Sequence, residues 1–574
     1  MATPTNKNDV TTTENVGEDG AEQLEVKVHI HAKTIIAVLA VCSIFFVQLM
    51  AVVGSGSLGR YMATSLGSPT LSAWFSSSIT ILTLATILPV SQAADYWGRK
   101  NFILGMTALG LIGAIMVSRA QNVATAIAGM VLVGSAFGCQ SICYAIPSEI
   151  LHRKYRAYGQ ATTNVFSGLG GLSGVLISGA LVKSDVENWR IYWYICTALF
   201  TVGLVGIFFG YNPPKRELEV AMGSKEKLRS MDWIGSFLIA VGLVLLVVAL
   251  QYSGNPYSWK DGHVLGPFVS GILCLAAFGT WEWKGTDSGI LNHRLFCGRD
   301  FPLAIVAMFV EGLAFFTVTN YFAYELVFLH GINSFTAGLR FAVVFIVSIV
   351  MAFAVGVYTT FTKRIREPLV TGFLCLTLFC VLMVYYHTGL PLANSFGYAT
   401  IAGSGLGFIL SNLMVAAHMG TPPDMISLSS GLVTAIRSLG GAIGLAINNS
   451  IFNSSLKTQI PSRVAAAVLP LGFSPQNLGP LISALSSQNQ AAVRAVPGVT
   501  AQIAGAAGAA LQEAFKVSFS KLWIAAAVFS AVGVICSCFI SNPKSQFNEH
   551  IDAPVEIEVA YAQEAAEKRQ YNSA

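Results

Sequence analysis

Apolar residues along this chain come in long unbroken blocks, separated by short polar connections, rather than at the alternating or three-and-four spacing of a soluble fold. A helix needs roughly 20 apolar residues to cross about 30 Å of hydrocarbon. Fourteen segments meet that demand, near 34–56, 72–91, 102–118, 123–146, 159–182, 191–211, 233–253, 264–283, 302–325, 341–361, 369–387, 396–418, 427–453 and 520–541. The pattern predicts an all-α membrane protein. Composition agrees, with 54% hydrophobic and 11% charged residues and a mean hydropathy of +0.62, a balance foreign to soluble domains.

The polar connections set the orientation. Lys and Arg in short loops mark the cytoplasmic side, and they concentrate at Arg99/Lys100, Arg153/Lys154/Arg156, Lys215/Arg216, Lys225/Lys227/Arg229, Lys284/Arg294/Arg299 and Lys363/Arg364/Arg366. Both termini are therefore expected in the cytoplasm. The stretch before the first span is acidic and Thr-rich, which argues against a removable signal peptide. The net charge of +5 then reads as a topogenic signal, and nucleic acid is not an expected partner. Ten cysteines, almost all within spans, read as packing residues rather than disulfides or metal ligands. Tails 1–33 and 542–574 are polar enough to be disordered. A long loop, 453–519, follows span 13 on the outer side, with room for a short surface helix over Val499–Phe515. Asn453-Ser454-Ser455 is a glycosylation sequon, either used or too close to the membrane to be used.

After span 2 comes Ser91-Gln92-Ala93-Ala94-Asp95-Tyr96-Trp97-Gly98-Arg99-Lys100. Its charges cannot lie in hydrocarbon, so it sits at a membrane surface. The D-x-x-G-R-K pattern resembles the signature loop of the major facilitator superfamily. Within that superfamily, Trp74 with Leu82–Lys100, Trp189-Arg190, Met231-Asp232-Trp233-Ile234-Gly235, and Glu282 followed by Ile290-Leu291 and Leu295-Phe296 are similar to the fourteen-span drug:proton antiporters. So are Gly431, Arg437, Gly440-Gly441 and Gly444 of span 13. Asn212-Pro213-Pro214-Lys215-Arg216 and Ser258-Trp259-Lys260 most resemble fungal trichothecene efflux pumps. The resemblance implies two six-helix bundles, 34–211 and 301–541, with a central loop and an extra helix pair over 212–300. Gln48 stands where that branch commonly has an acid, and Met130 where it has an arginine. The run Gly170-x-x-x-Gly174-Val175-x-x-Ser178-Gly179 keeps the antiporter glycine spacing without its proline, as close helix packing alone also would.

The same loop has a mechanical reading. Asp95 can accept hydrogen bonds from the N-terminus of a neighbouring helix, Gly98 lies between Asp95 and Arg99, and Arg99 can pair with Glu149 at the inner end of span 4. Glu149 and Arg156 resemble the acid and base of another superfamily loop. Together these residues form a candidate gate; otherwise they are solvated charges of little energetic value.

Charges well inside the spans number two, Glu311 and Arg437, each roughly 15 to 20 Å deep at 1.5 Å per residue. Intramembrane ionisable groups are functional candidates. They are expected to meet, with Glu311 as proton carrier and Arg437 as its partner or as a structural pin. Gln48, Gln140, Asn164, Asn320, Asn412 and Asn448 are candidates to line a substrate cavity, or are helix-packing amides. Trp74, Phe315, Phe316, Tyr321 and Tyr324 can line an apolar pocket or an interfacial belt.

No G-x-x-x-x-G-K-[ST] loop occurs, so a gradient rather than a nucleotide supplies the energy, and neither a cofactor nor enzymatic chemistry is expected. The expected function is export of an amphipathic small molecule, a toxin, drug or metabolite, in exchange for protons. It would act as a monomer in the lipid bilayer of the plasma membrane, or of the vacuole. Siderophore uptake and a transporter-like receptor remain the alternatives.

Overall fold

A computed structural model describes residues 32–68, 71–214, 219–220, 222–252, 257, 259–286, 289–332, 334–386, 390–486, 493, 495–548 and 550–552. The expectations for tails 1–31 and 553–574, and for Lys215, Arg216 and Ser258, fall outside these residues. Among the described residues, fourteen helices are long and apolar enough to cross a membrane. They are α1 (Ala32–Ser65), α2 (Ala73–Trp97), α3 (Arg99–Ser118), α4 (Val123–Ile150), α5 (Arg156–Ser184), α6 (Trp189–Gly210) and α7 (Trp233–Tyr252). The remainder are α8 (Gly262–Lys284), α9 (Asp300–His330), α10 (Ser334–Thr362), α11 (Arg366–Val384), α12 (Asn394–Met419), α13 (Ile426–Val468) and α14 (Ala501–Phe539).

Their packing repeats. In the first half α1 lies on α5 and α6, α3 on α4 and α6, and α2 on α4. The second half reproduces each pairing eight helices later: α9 on α13 and α14, α11 on α12 and α14, α10 on α12. The seam between the bundles is symmetric too, with α2 against α13 and α10 against α5, while α7 and α8 pair and dock through α7 on α2 and α13. Small residues permit this closeness. A Cβ at Gly170 of α5 would collide with the Phe46 carbonyl oxygen of α1, and at the equivalent place in the second half a Cβ at Gly440 of α13 would collide with the Phe309 carbonyl oxygen of α9. The glycine runs in spans 5 and 13 thus mark helix packing, where any side chain forces the backbones apart.

Helix α4 is broken by a 3-10 turn at Phe137–Cys139, which releases backbone carbonyls from the α ladder. Gln48 satisfies one of them. Its Nε2 donates to the Ala136 carbonyl at 3.0 Å, and the side chain is fully buried between α1 and α4. Gln48 is therefore not a cavity residue, contrary to the expectation. Replacing it by Leu should cost about 0.5–1.5 kcal/mol for the lost bond, the carbonyl keeping its contact with Cys139 Sγ at 3.1 Å, read as a lower melting temperature in detergent with substrate selectivity unchanged.

Two further corrections concern the ends. The stretch expected as a loop over 453–519 is largely helical: α13 has 43 residues and α14 has 39, so α13 runs about 65 Å, twice the hydrocarbon thickness. Ala dominates the start of α14, and Ala is the best helix former. The extensions bury their own apolar set, including Val464, Val468, Phe473, Leu481, Ile503 and Ala507. Asn453 is exposed on α13, while the sequon hydroxyl of Ser455 is buried and accepts from Ser518 at 3.0 Å. At the opposite end of the molecule the first residues of the expected free tail are tied down. Asp300 accepts from the Ser541 amide at 2.9 Å, and Asn542 Oδ1 accepts from Ile365 and Arg366 at 2.7 and 2.9 Å. The chain then crosses to the other bundle, where Arg153 and Lys154 amides donate to His550 and Asn548 carbonyls, both at 2.9 Å.

Candidate functional site

A narrow cavity lies on the seam between the bundles. Its polar wall is built from Gln140 and Tyr144 of α4, Asn164 of α5, Glu311 of α9 and Arg437 of α13; Phe45, Phe315, Phe341 and Phe345 stand among its apolar lining. Glu311 and Arg437 meet as the sequence led one to expect. Arg437 Nε and Nη2 donate to Glu311 Oε2 and Oε1 at 2.6 and 3.0 Å, a two-point fork that suits guanidinium to carboxylate. Glu311 is fully buried, Arg437 is partly open to the cavity, and the guanidinium sits 4.6 Å from the centre of the Phe315 ring. Such a wall offers aromatic surface and a neutralised ion pair. Asn164 bridges the bundles, accepting from Tyr144 at 3.3 Å and donating to Ser411 of α12 at 3.3 Å.

The remaining amide candidates lie elsewhere. Asn412 accepts from Thr359 at 3.0 Å and is buried between α12 and α10, and Asn448 donates to Thr317 at 2.6 Å between α13 and α9. Asn320 is exposed, with its amide turned back onto the Phe316 carbonyl, and is not in the cavity wall. These corrections share one cause. An amide on a membrane helix looks alike in sequence whether it faces a cavity or a neighbouring helix.

The predicted gate residues assemble at the basic end of the seam. Helix α13 begins at Ile426 with Met425 in the capping position, and a methionine side chain has no oxygen to cap the first amides. Asp95, from the other bundle, does so instead. Its Oδ2 accepts from the Leu428 amide at 2.9 Å, and its Oδ1 from Arg99 Nη2 at 2.8 Å. Arg99 also donates to Ser427 at 2.7 Å and pairs with Glu149. All three charged side chains are buried. Gly98 links α2 to α3 at φ 87°, a left-handed backbone that favours glycine.

Arg156 pairs with Asp552 of the crossing tail, which Arg153 also holds at 2.7 Å. Arg156 donates further to the Ser148 carbonyl at 2.8 Å. A polar layer that the sequence gave no sign of lies beside it. The ring of His418 on α12 meets Ser148 of α4 at 2.8 Å and Ser430 of α13 at 2.7 Å. Three separate ties, at Asp95–Leu428, Ser148–His418 and Arg156–Asp552, thus close one end of the seam.

One further acid escapes the hydropathy pattern. Glu325, at the edge of the expected ninth span, is buried inside α9, which continues to His330.

Comparison with known proteins agrees with this architecture. The model of the family described as "Fungal trichothecene efflux pump (TRI12)" matches residues 15–569. Among curated relatives, the efflux pump dotC of Dothistroma septosporum is 23% identical over 474 residues, covering 82% of this chain and 77% of that one. The MFS-type efflux pump MFS1 of Trichophyton rubrum is 24% identical over 470 residues, 81% and 83% of the two chains. Of solved structures, the human organic anion transporter MFSD10 (TETRAN) matches the fold with a TM-score of 0.51 at 14% identity, over 87% of this chain and 100% of that one. The chain is a multi-pass membrane transporter of small molecules and belongs to the fungal trichothecene efflux pump family of the major facilitator superfamily.

Proposed function

We propose that this transporter exports an amphipathic small molecule, a toxin or secondary metabolite, in exchange for protons, with the basic end of the seam facing the cytoplasm. The observation that carries the reading is the cavity wall. Aromatic rings surround a single neutralised ion pair and a few amides, which suits an apolar cargo with a few polar groups. Sugars and phosphates demand denser hydrogen bonding or cationic clamps. The gate supports alternating access, since Asp95 and Arg99 of one bundle bind the first turn of α13 in the other and must release it for the cavity to open inward. Relatives named as efflux pumps favour the outward direction.

Cellular accumulation of ethidium and of a trichothecene panel, with and without the gene and across an imposed pH gradient, tests the reading. Export predicts lower accumulation that a protonophore reverses. Higher accumulation would mark an importer, and unchanged accumulation across the panel a receptor.

A further inference from the structure

Beyond Glu311, helix α9 carries another buried acid, to which neither the cavity nor the gate assigns a role. Glu325 lies fourteen residues beyond Glu311, about 21 Å further along the helix and one and a half turns short of its far end at His330. It is 1% exposed. Its Oε2 accepts from the indole Nε1 of Trp523 on α14 at 2.6 Å, and that ring meets Phe379 of α11 edge-on at 5.4 Å. Glu311 has Arg437; among the described residues Glu325 has no ion-pair partner. A lone carboxylate in such a place is costly when ionised and tolerable when it holds a proton. Packing alone would be better served there by an apolar side chain, so an acid at this depth is a functional candidate.

Titratable and charged groups gather toward this end of α9. On α9 itself are Tyr321, Tyr324 and His330; Cys380 lies on α11, Tyr386 just beyond it, Tyr398 on α12, Arg340 on α10, Arg463 on α13, and Glu513 and Lys516 on α14. The cations have other partners, although Arg340 also lies within electrostatic reach of Tyr386 and His330. Arg340 lies over the Phe396 ring at 5.0 Å and bonds the Thr336 carbonyl at 3.3 Å, while Glu513 takes Lys516 at 3.4 Å and Arg463 at 3.7 Å. Tyr386 lies within electrostatic reach of Glu325. Its hydroxyl meets Nε2 of His330 at 2.7 Å, and His330 is partly exposed at the helix end.

We propose that Glu325 is a proton-binding site of this transporter, exchanging its proton with the outer aqueous phase through Tyr386 and His330 and setting the position of α9 by its charge state. The proposal rests on the proton-antiport reading. The step moves a proton alone: uptake converts carboxylate to carboxyl, release returns the proton to bulk water, and no electrons transfer. Once ionised, Glu325 no longer suits its place beside Trp523 and Phe379, so α9 must shift or admit water. The same helix is bonded to α13 through Tyr321–Asn449 at 2.5 Å and Asn448–Thr317 at 2.6 Å, and it carries Glu311 and Phe315 of the cavity wall. A charge change at the outer end therefore reaches the cavity along one rigid element.

The test uses the full-length protein reconstituted in liposomes, with two readouts. Infrared difference spectra across pH should show the carbonyl stretch of a protonated carboxyl in the wild type and its loss in Glu325→Gln. Ethidium transport under an imposed pH gradient should fall on the order of tenfold or more in Glu325→Gln, because one protonation state is frozen, while ethidium binding in the absence of a gradient is retained. Trp523→Phe removes the indole bond to Oε2 and should displace the pH midpoint of both signals, which a merely structural role would not do. A wild type indifferent to the gradient would overturn antiport and leave the infrared band to decide the site. Gradient-driven transport undiminished in Glu325→Gln overturns the proposal, as does a carboxyl band that survives that change. Should Glu325→Gln fail to reach the membrane, an unmoved midpoint in Trp523→Phe overturns it equally.

Discussion

Glu311→Gln should eliminate gradient-driven export. The substitution keeps the size of the side chain and its acceptor oxygen, but removes the charge that Arg437 grips through two bonds at 2.6 and 3.0 Å. Breaking a buried pair by neutralising one partner costs about 3–5 kcal/mol, because the other charge is left without compensation. Here the cavity moderates that penalty, since the Arg437 side chain is 21% exposed while Glu311 is fully covered. The expected phenotype is a protein present in the membrane at reduced level, with export near background after correction for abundance. Glu311→Leu combined with Arg437→Leu separates two causes, as removing both charges lifts the penalty and should restore abundance. If export returns with abundance, the pair is a structural pin; continued loss of export assigns it to transport. Glu311→Gln at normal abundance with wild-type export would sink the role altogether.

Particular residues show what the sequence could and could not reveal. Asp95 and Arg99 were legible because charges between two membrane-grade spans have nowhere to go but a surface, and a carboxylate there seeks a helix N-terminus. Glu311 and Arg437 were legible for the complementary reason, since each interrupts an apolar run in its middle. Glu325 was not, because an acid at the edge of an apolar window is indistinguishable from its end. Only the packing of α14 against α9 shows that the helix continues buried. The role of Gln48 was hidden in another residue's backbone: the 3-10 turn at Phe137–Cys139 falls ahead of Pro147, with no proline of its own to announce it. The docking of Asp552 depends on Arg153 and Arg156, some four hundred positions away in the chain, and no local pattern records such a contact.

Those distant contacts share a mechanical consequence. The gate, the His418 layer and the crossing tail all join the bundles at the same end of the seam. Inward opening must break them together, so each contributes to the free-energy difference between the two faces of the transport cycle.

Asp95→Asn should shift that balance most cleanly, because it leaves the fold of either bundle intact and weakens a bond between them. The asparagine retains one oxygen, so it can serve Arg99 or the Leu428 amide but not both as the carboxylate does. The first turn of α13 loses its negative charge, worth about 0.3–1 kcal/mol and up to ~2 in partly buried settings. One charge-assisted hydrogen bond goes as well, at about 1.5–3 kcal/mol. A net loss of about 2 kcal/mol from the closed state alone changes the ratio of the two faces on the order of 30-fold. Ser411 reports the change, being buried at the bundle interface beside Asn164. A cysteine placed there, in a background lacking the exposed Cys297 and Cys538, should react with a membrane-impermeant thiol reagent from the cytoplasmic side far faster in Asp95→Asn. Arg99→Ala is expected to be harsher, since it removes the cation that both Asp95 and Glu149 pair with and should lower abundance as well. Glu149→Gln should fall between them. The doubly changed Asp95→Asn, Arg99→Ala protein should be less impaired than the sum of its parts, because both substitutions remove the same bond. Equal labelling of Ser411→Cys with and without Asp95→Asn, alongside wild-type export, would show that the buried triad does not hold the inward side closed.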